Sequence, residues 1–219
     1  MKEPKNTSIA KGIDEYHNLN ESADPAEHLR TIYADWADAY DADNDDRLGT
    51  VSQPLTVEML TRHVGDPEVR KAQKILDLGC GTGLVGVHLL QHGFSHIEGA
   101  DISQEMMAHA RERGYADLHI LKDGEPLPFN DGSFDIVTCV GVFTHGHLPA
   151  SALDDILRII RPGGLVCFTI NEGVWESGKF AQKLDALSLD SKWELLEQNK
   201  QDYMVREGVK AWYITARVC

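Results

Sequence analysis

Residues 74–84 read Lys74-Ile75-Leu76-Asp77-Leu78-Gly79-Cys80-Gly81-Thr82-Gly83-Leu84. An apolar run carrying one acid ends in three glycines at alternate positions, and a helical pattern follows at once. Glycine permits positive φ in such a turn and keeps Cβ atoms out of the way of a ligand approaching the backbone. The helix that follows begins with unpaired N–H groups, which favour anionic or polar ligands. Asp101 closes the next apolar run, 22 residues after Gly79. A carboxylate about 20 residues beyond such a loop is placed to accept from ribose hydroxyls. The stretch therefore predicts a strand–turn–helix unit that holds an adenosine-bearing ligand.

Outward from the loop the chain alternates. Lys74–Leu78, His96–Ala100, Leu118–Lys122, Phe134–Val140 and Leu165–Ile170 are apolar runs of strand length. Leu84–His92, Gln104–Arg113 and Ala150–Ile160 carry helical periodicity between them. That alternation predicts an α/β, Rossmann-like, mostly parallel sheet with helices on both faces. After Ile170 the rhythm breaks. A helix at Lys179–Leu187 precedes Trp193–Gln198 and Ala211–Val218, which are expected to complete seven strands as a closing hairpin. Upstream, Asp24-Pro25-Ala26-Glu27 is an N-cap followed by proline at the first helical position. Leu29, Ile32, Tyr33, Trp36, Ala37 and Tyr40 then share one helix face, and Pro54–His63 reads as a second helix ended by Gly65 and Pro67. Three segments result: a disordered or loosely attached tail at 1–23, a helical cap at 24–69, and the α/β domain at 70–219, which folds as one unit with the cap.

The composition limits the partners. The 219 residues are 42% hydrophobic and 26% charged, a globular mix, with a formal net charge of −14. So acidic a chain is repelled by phosphate backbones and anionic lipid heads, which makes nucleic acid and membrane surfaces poor partners. No apolar run reaches transmembrane length, and Met1 to Asn20 lacks the apolar core of a signal peptide. Cys80, Cys139, Cys167 and Cys219 form neither a CxxC pair nor a zinc pattern, and Cys139 and Cys167 read as buried strand residues. A reducing, cytoplasmic compartment is expected. The oligomeric state is not legible.

Two adenosine cofactors compete for the loop. Gly81-Thr82-Gly83-Leu84-Val85-Gly86 fits the GxGxxG dinucleotide pattern. Against a dinucleotide stands Asp77, whose carboxylate would repel a pyrophosphate but could accept from an ammonium group. A further adenine-side element, Asp123-Gly124-Glu125-Pro126-Leu127-Pro128-Phe129, follows the third strand. Asp77-Leu-Gly-Cys-Gly-Thr-Gly, Asp101-Ile-Ser, Asp123-Gly-Glu-x-Leu-Pro-Phe, Phe134-Asp135-Ile-Val and Arg161-Pro-Gly-Gly-Leu occur in that order. Together, over residues 70–171, they resemble the class I S-adenosylmethionine-dependent methyltransferases. Tyr33-x-x-Trp36-Ala37-x-x-Tyr40-Asp41 and the Leu165–Phe168 strand are similar to the methyltransferase-like proteins typified by the Williams–Beuren syndrome chromosome region methyltransferase.

The resemblance implies S-adenosylmethionine as cofactor, with Gly79, Gly81 and the Asp77 side at its methionine end. It implies Asp101 on the ribose hydroxyls and Ile102 and Met106 against the adenine. Asp123 would accept from the adenine amino group, Gly124 would supply a backbone N–H, and Val140 would line the cofactor below the methyl. Plain core packing is the competing reading for Ile102, Met106 and Val140, and helix capping or a turn is the competing reading for the acids.

For catalysis, His145 is the first candidate base after the fourth strand and His147 the second, against a reading of both as polar loop residues. Tyr33, Trp36 and Tyr40 pair large apolar bodies with polar tips, and are expected over the cofactor as a lid. Asp41-Ala-Asp43-Asn-Asp45 lacks the glycine and the bidentate Glu of an EF-hand and reads as a solvated acidic loop that would let the lid move. His145-Gly-His147 has no third ligand, so no metal is expected. The fourth strand lacks an Asn/Asp-Pro-Pro-aromatic tetrad, and Cys139 follows Thr138 rather than proline, which argues against nucleic-acid bases as acceptors. The chain thus reads as a methyltransferase acting on a small molecule. A protein side-chain acceptor, a non-catalytic cofactor-binding regulator and an NAD-dependent reductase are the alternatives.

Overall fold

The computed structural model describes residues 25–145 and 147–219; the expected tail at 1–23 lies outside them. Seven strands form one sheet: β1 Lys74–Leu78, β2 His96–Asp101, β3 Asp117–Ile120, β4 Phe134–Phe143, β5 Ile160–Asn171, β6 Trp193–Met204 and β7 Val209–Val218, in the order β3-β2-β1-β4-β5-β7-β6. β1 to β5 pair in parallel, while β7 runs antiparallel to both β5 and β6. The second strand of the closing hairpin, β7, is therefore inserted between β5 and the edge strand β6. The strand order reverses between β1 and β4, and a crevice opens at such a switch point, outside the carboxyl ends of the strands.

The helices are α1 Pro25–Asp43, α2 Ser52–Thr61, α3 Pro67–Lys71, α4 Leu84–Gln91, α5 Gln104–Ala110, α6 Ala152–Arg158, α7 Glu172–Trp175 and α8 Phe180–Leu189. They cover both sheet faces. Val57, Met59 and Leu60 of α2 join Val85 and Leu89 of α4 against Ile75, Ile97 and Ile136. On the other face Leu153 and Ile156 of α6 and Phe180 and Leu184 of α8 pack against Val137, Val166 and Phe168. Burying a side chain of this kind is worth about 1.5–3 kcal/mol, and these layers hold the strand ends in place.

Three differences from the sequence reading have local causes. Pro67 does more than end a helix: Asp66 accepts from the N–H groups of Glu68 and Val69, and α3 begins there. The Arg161-Pro-Gly-Gly stretch, turn-like in composition, belongs to β5, because Asp135 binds the Arg161 side chain while accepting from Lys74 N–H at 2.6 Å. The acidic stretch after α1 is not a solvated loop. It continues as a π-helical segment, Asn44–Leu48, with Asp43 and Asn44 buried. Asp43 accepts from Trp36 Nε1 at 2.9 Å, and the Asn44 side chain donates to Tyr40 O and accepts from the Thr50 hydroxyl.

Candidate active site

The glycine loop sits at the crevice. Gly79, Gly81 and Gly83 all have positive φ, and the amides of Gly79 and Cys80 both donate to Ala100 O, binding the loop to the end of β2. Asp101, one residue on, accepts from Gly81 N–H at 2.8 Å through one oxygen and from Ser103 N–H at 2.9 Å through the other. Burial raises its pKa while these amides pull it back. Each carboxylate oxygen keeps a further lone pair for a hydroxyl.

Asp77, on β1, is buried to 1% exposure. Its oxygens accept from Thr138 Oγ1 on the neighbouring β4 at 2.9 Å and from the Tyr115 hydroxyl at 2.7 Å. Burial, outweighing those donors, pushes its pKa up to about 6. Tyr115 was not among the residues the sequence singled out. It is an isolated aromatic before β3, without periodicity, and its partners lie 38 and 29 residues away in the chain.

Leu78, Ile102, Leu121, Asp123, Gly124 and Leu148 line a cleft of about 230 Å³ between β1, β2 and the loop after β3. Gly124 has φ of 71° with open space around it. Met106 is buried under the glycine loop and touches Gly81 rather than the cleft. Val140 packs in the core with α2, while Val142, past a bulge in β4, lies against Gly79. The far side of the cleft is held by Arg158, which donates to Leu127 O and Phe129 O and pairs with Asp131 and Asp155; Asp155 also accepts from Leu127 N–H. Sequence patterning shows only the i,i+3 pair of Arg158 with Asp155, since Leu127, Phe129 and Asp131 are brought to it by the tertiary fold.

Helix α1 closes the crevice from above. Tyr33, Trp36 and Tyr40 do share a face: Tyr33 and Trp36 rings are parallel at 6.4 Å, and Trp36 meets Tyr40 edge-on at 4.8 Å. Burial, with the charges of Asp101 and Asp41, raises the Tyr40 pKa. Asp41 accepts from Thr82 Oγ1 at 2.6 Å and pairs with Arg113, which also donates to Thr82 O. Asp38 meets His109 at 3.3 Å.

The two candidate histidines part company. His145 is exposed, its ring against Gly173. His147 is brought to the aromatic face, with its ring 5.8 Å from that of Tyr33. Its Nδ1 lies 3.1 Å from His145 O, a contact that requires a proton on Nδ1. Nε2 is then bare, and the Tyr33 hydroxyl donates to it at 3.0 Å. Burial holds the His147 pKa down at about 4, so the ring is neutral at pH 7.

The donor set fits an adenosyl sulfonium cofactor: a buried acid and open glycines at one end, a second acid at the strand tip, and an apolar cleft flanked by Asp123. Residues 76–168 match the family described as a methyltransferase domain. The chain is 39% identical over 140 residues to human Methyltransferase-like protein 27, covering 63% of this chain and 56% of that one. It therefore spans little more than half of that relative's length. Against the ubiquinone biosynthesis O-methyltransferase of Aromatoleum aromaticum it is 26% identical over 199 residues, 85% of this chain and 77% of the relative. The fold superposes on a TehB-like methyltransferase from Corynebacterium glutamicum with a TM-score of 0.59 at 17% identity, covering 85% of this chain and 98% of the other.

Proposed function

Because the chain belongs to the class I S-adenosylmethionine-dependent methyltransferases, we propose that it transfers the cofactor's methyl group to a small-molecule acceptor. The observation that carries this reading is Asp101 at the end of β2, held by the amides of Gly81 and Ser103 beside the glycine loop, next to the cleft-lining Ile102. In this proposal Asp77, Gly79 and Gly81 receive the methionine end, and Asp101 the ribose. Ile102, Asp123 and Gly124 receive the adenine, and Met106 supports the loop from beneath. Tyr33, Trp36 and Tyr40 cover the site, Val142 lies against Gly79 behind the loop, and Val140 serves as core packing. When bound, the cofactor supplies a methyl group already activated by its sulfonium.

What the protein adds is alignment and exclusion of water, worth as much as ~7–11 kcal/mol in favourable cases. An acceptor hydroxyl or ammonium must also lose a proton. For that task His147 is better supported than His145, since its unprotonated Nε2 accepts from the Tyr33 hydroxyl on the aromatic face, so that a proton would reach it by way of Tyr33. Being held neutral, it accepts a hydrogen bond at any pH well above 4. A small acceptor is supported by the similar ubiquinone biosynthesis enzyme, by its name an O-methyltransferase. The charge of −14 disfavours polyanionic acceptors. Four free cysteines, three of them buried, suit a reducing compartment such as the cytosol.

Incubating the protein with trideuteromethyl-labelled S-adenosylmethionine and a cell extract tests the proposal. Label in the low-mass fraction is the expected result. Label confined to protein would favour the side-chain alternative, and binding without any transfer would favour a regulator.

A further inference from the structure

Tyr115 occupies a slot that three glycines leave open. A Cβ at Gly86 would lie 2.5 Å from its ring and hydroxyl, one at Gly83 2.9 Å from Cε2, and one at Gly99 3.0 Å from Cδ1. The last glycine of the GxGxxG pattern is thus filled from within the protein. Gly83 and Gly86 are buried, whereas Gly79 and Gly81 are half-exposed toward the crevice.

The hydroxyl accepts from Gly86 N–H at 3.0 Å and donates to Asp77 Oδ2 at 2.7 Å. Gly86 is the third residue of α4, whose N-cap is Gly83 and has no side chain to offer. Tyr115 therefore satisfies a first-turn amide that a Ser or Asp cap would ordinarily take. A donor hydroxyl that itself accepts from a helix N-terminus is polarised into a stronger donor.

We propose that Tyr115 is a positioning residue of the cofactor site: its hydroxyl links the start of α4 to Asp77 and keeps that carboxylate ionised and aimed at the ammonium end of the cofactor. The proposal rests on the reading that Asp77 receives that ammonium. Asp77 is faced by Tyr115 and Thr138 as donors, by Asp101, and by the Cys80 and Cys139 thiols. Burial pushes both thiols and the Tyr115 phenol up, so all three stay neutral near pH 7 and Asp101 is the charged neighbour. No cation among these groups stabilises Asp77; its two hydroxyl donors do.

Tyr115→Phe fills the same slot and removes only the donor. Affinity for S-adenosylmethionine, measured by calorimetry from pH 5.5 to 7.5, falls in the unmodified protein as Asp77 protonates near pH 6. In Tyr115→Phe that fall should move up by about one pH unit. The affinity ratio between the two proteins then grows on acidification, from about twofold at pH 7 to about fivefold at pH 6. Carboxyl carbon NMR of Asp77 should show the same displacement without ligand. Replacing Tyr115 with 3-fluorotyrosine, a more acidic phenol of similar size, should move both midpoints down and serves if the Phe variant does not fold. A constant affinity ratio with an unmoved carboxyl titration overturns the proposal and leaves the cofactor reading standing. No binding by the unmodified protein overturns both.

Discussion

Asp41, on the last turn of α1, accepts a 2.6 Å hydrogen bond from the hydroxyl of Thr82 in the glycine loop. Through this bond and the Arg113 pair beside it, the covering helix is anchored to the loop that it covers. On the proposed reading of α1 as a cover, a cofactor that orders the loop is expected to order the helix through the same contacts.

Loss of that anchor should free the lid. Asp41→Ala is expected to speed amide hydrogen exchange over residues 29–40 and to weaken S-adenosylmethionine binding. The weakening should be by ~1.5–3 kcal/mol, the usual worth of hydrogen bonds to a charged group. In the unmodified protein the same amides should slow markedly when the cofactor or its demethylated product is added. Equal protection with and without ligand would make α1 a fixed part of the core.

Asp77 sets function against stability. Its pKa of about 6 in the folded chain lies above the unfolded carboxylate value near 3.9. The native state therefore holds the proton more tightly, and the charged form lowers stability above pH 6. That cost vanishes as the pH falls below about 4. Asp77→Asn keeps the shape and can still pair with Tyr115 and Thr138. Denaturant unfolding at pH 7 should show this variant more stable by ~1–3 kcal/mol, with the gain gone at pH 4. Its cofactor affinity should be lower. Equal stability at both pH values would mean that the carboxylate is not strained by burial.

Gly86→Ala tests the slot from the other side. The backbone at Gly86 is ordinary, so the strain comes from the Cβ meeting the Tyr115 ring and hydroxyl at 2.5 Å. Overpacking of this kind costs about 1–3 kcal/mol, to be read as a lowered unfolding midpoint. A neutral outcome would show that Tyr115 swings aside freely.

Arg158 offers a test remote from the chemistry. It holds two carbonyls of the 127–129 segment and two carboxylates. Lysine keeps the charge but lacks the planar fork. Arg158→Lys is therefore expected to loosen the cleft wall and weaken cofactor binding severalfold, by calorimetry, with little change in net charge.

The strand–loop–helix unit was legible because apolar runs, alternating glycines and an acid at the right spacing are all local signals. Lys74–Leu78 matched the observed β1 to the residue. β6 runs six residues past its apolar start, through Asn199, Lys200, Gln201 and Asp202, where an edge strand faces water and carries no hydrophobic alternation. The acidic segment after α1 misled for a different reason. Of its acids, Asp41 is held by Thr82 and Arg113, far along the chain, and Asp43 by Trp36 on the same helix, contacts that a local count of acids cannot see. Tyr115 and Arg158 escaped notice on the same ground.

Asp101→Ala gives the most direct test of the central claim, that this site holds S-adenosylmethionine by its ribose. The measurement is calorimetric titration of the cofactor into the unmodified protein and the variant, with far-ultraviolet circular dichroism to show that both are folded. The account predicts binding by the unmodified protein and a loss of more than tenfold in the variant, since ~1.5–3 kcal/mol of charged hydrogen bonding disappears. Unchanged affinity in a folded Asp101→Ala protein would contradict it.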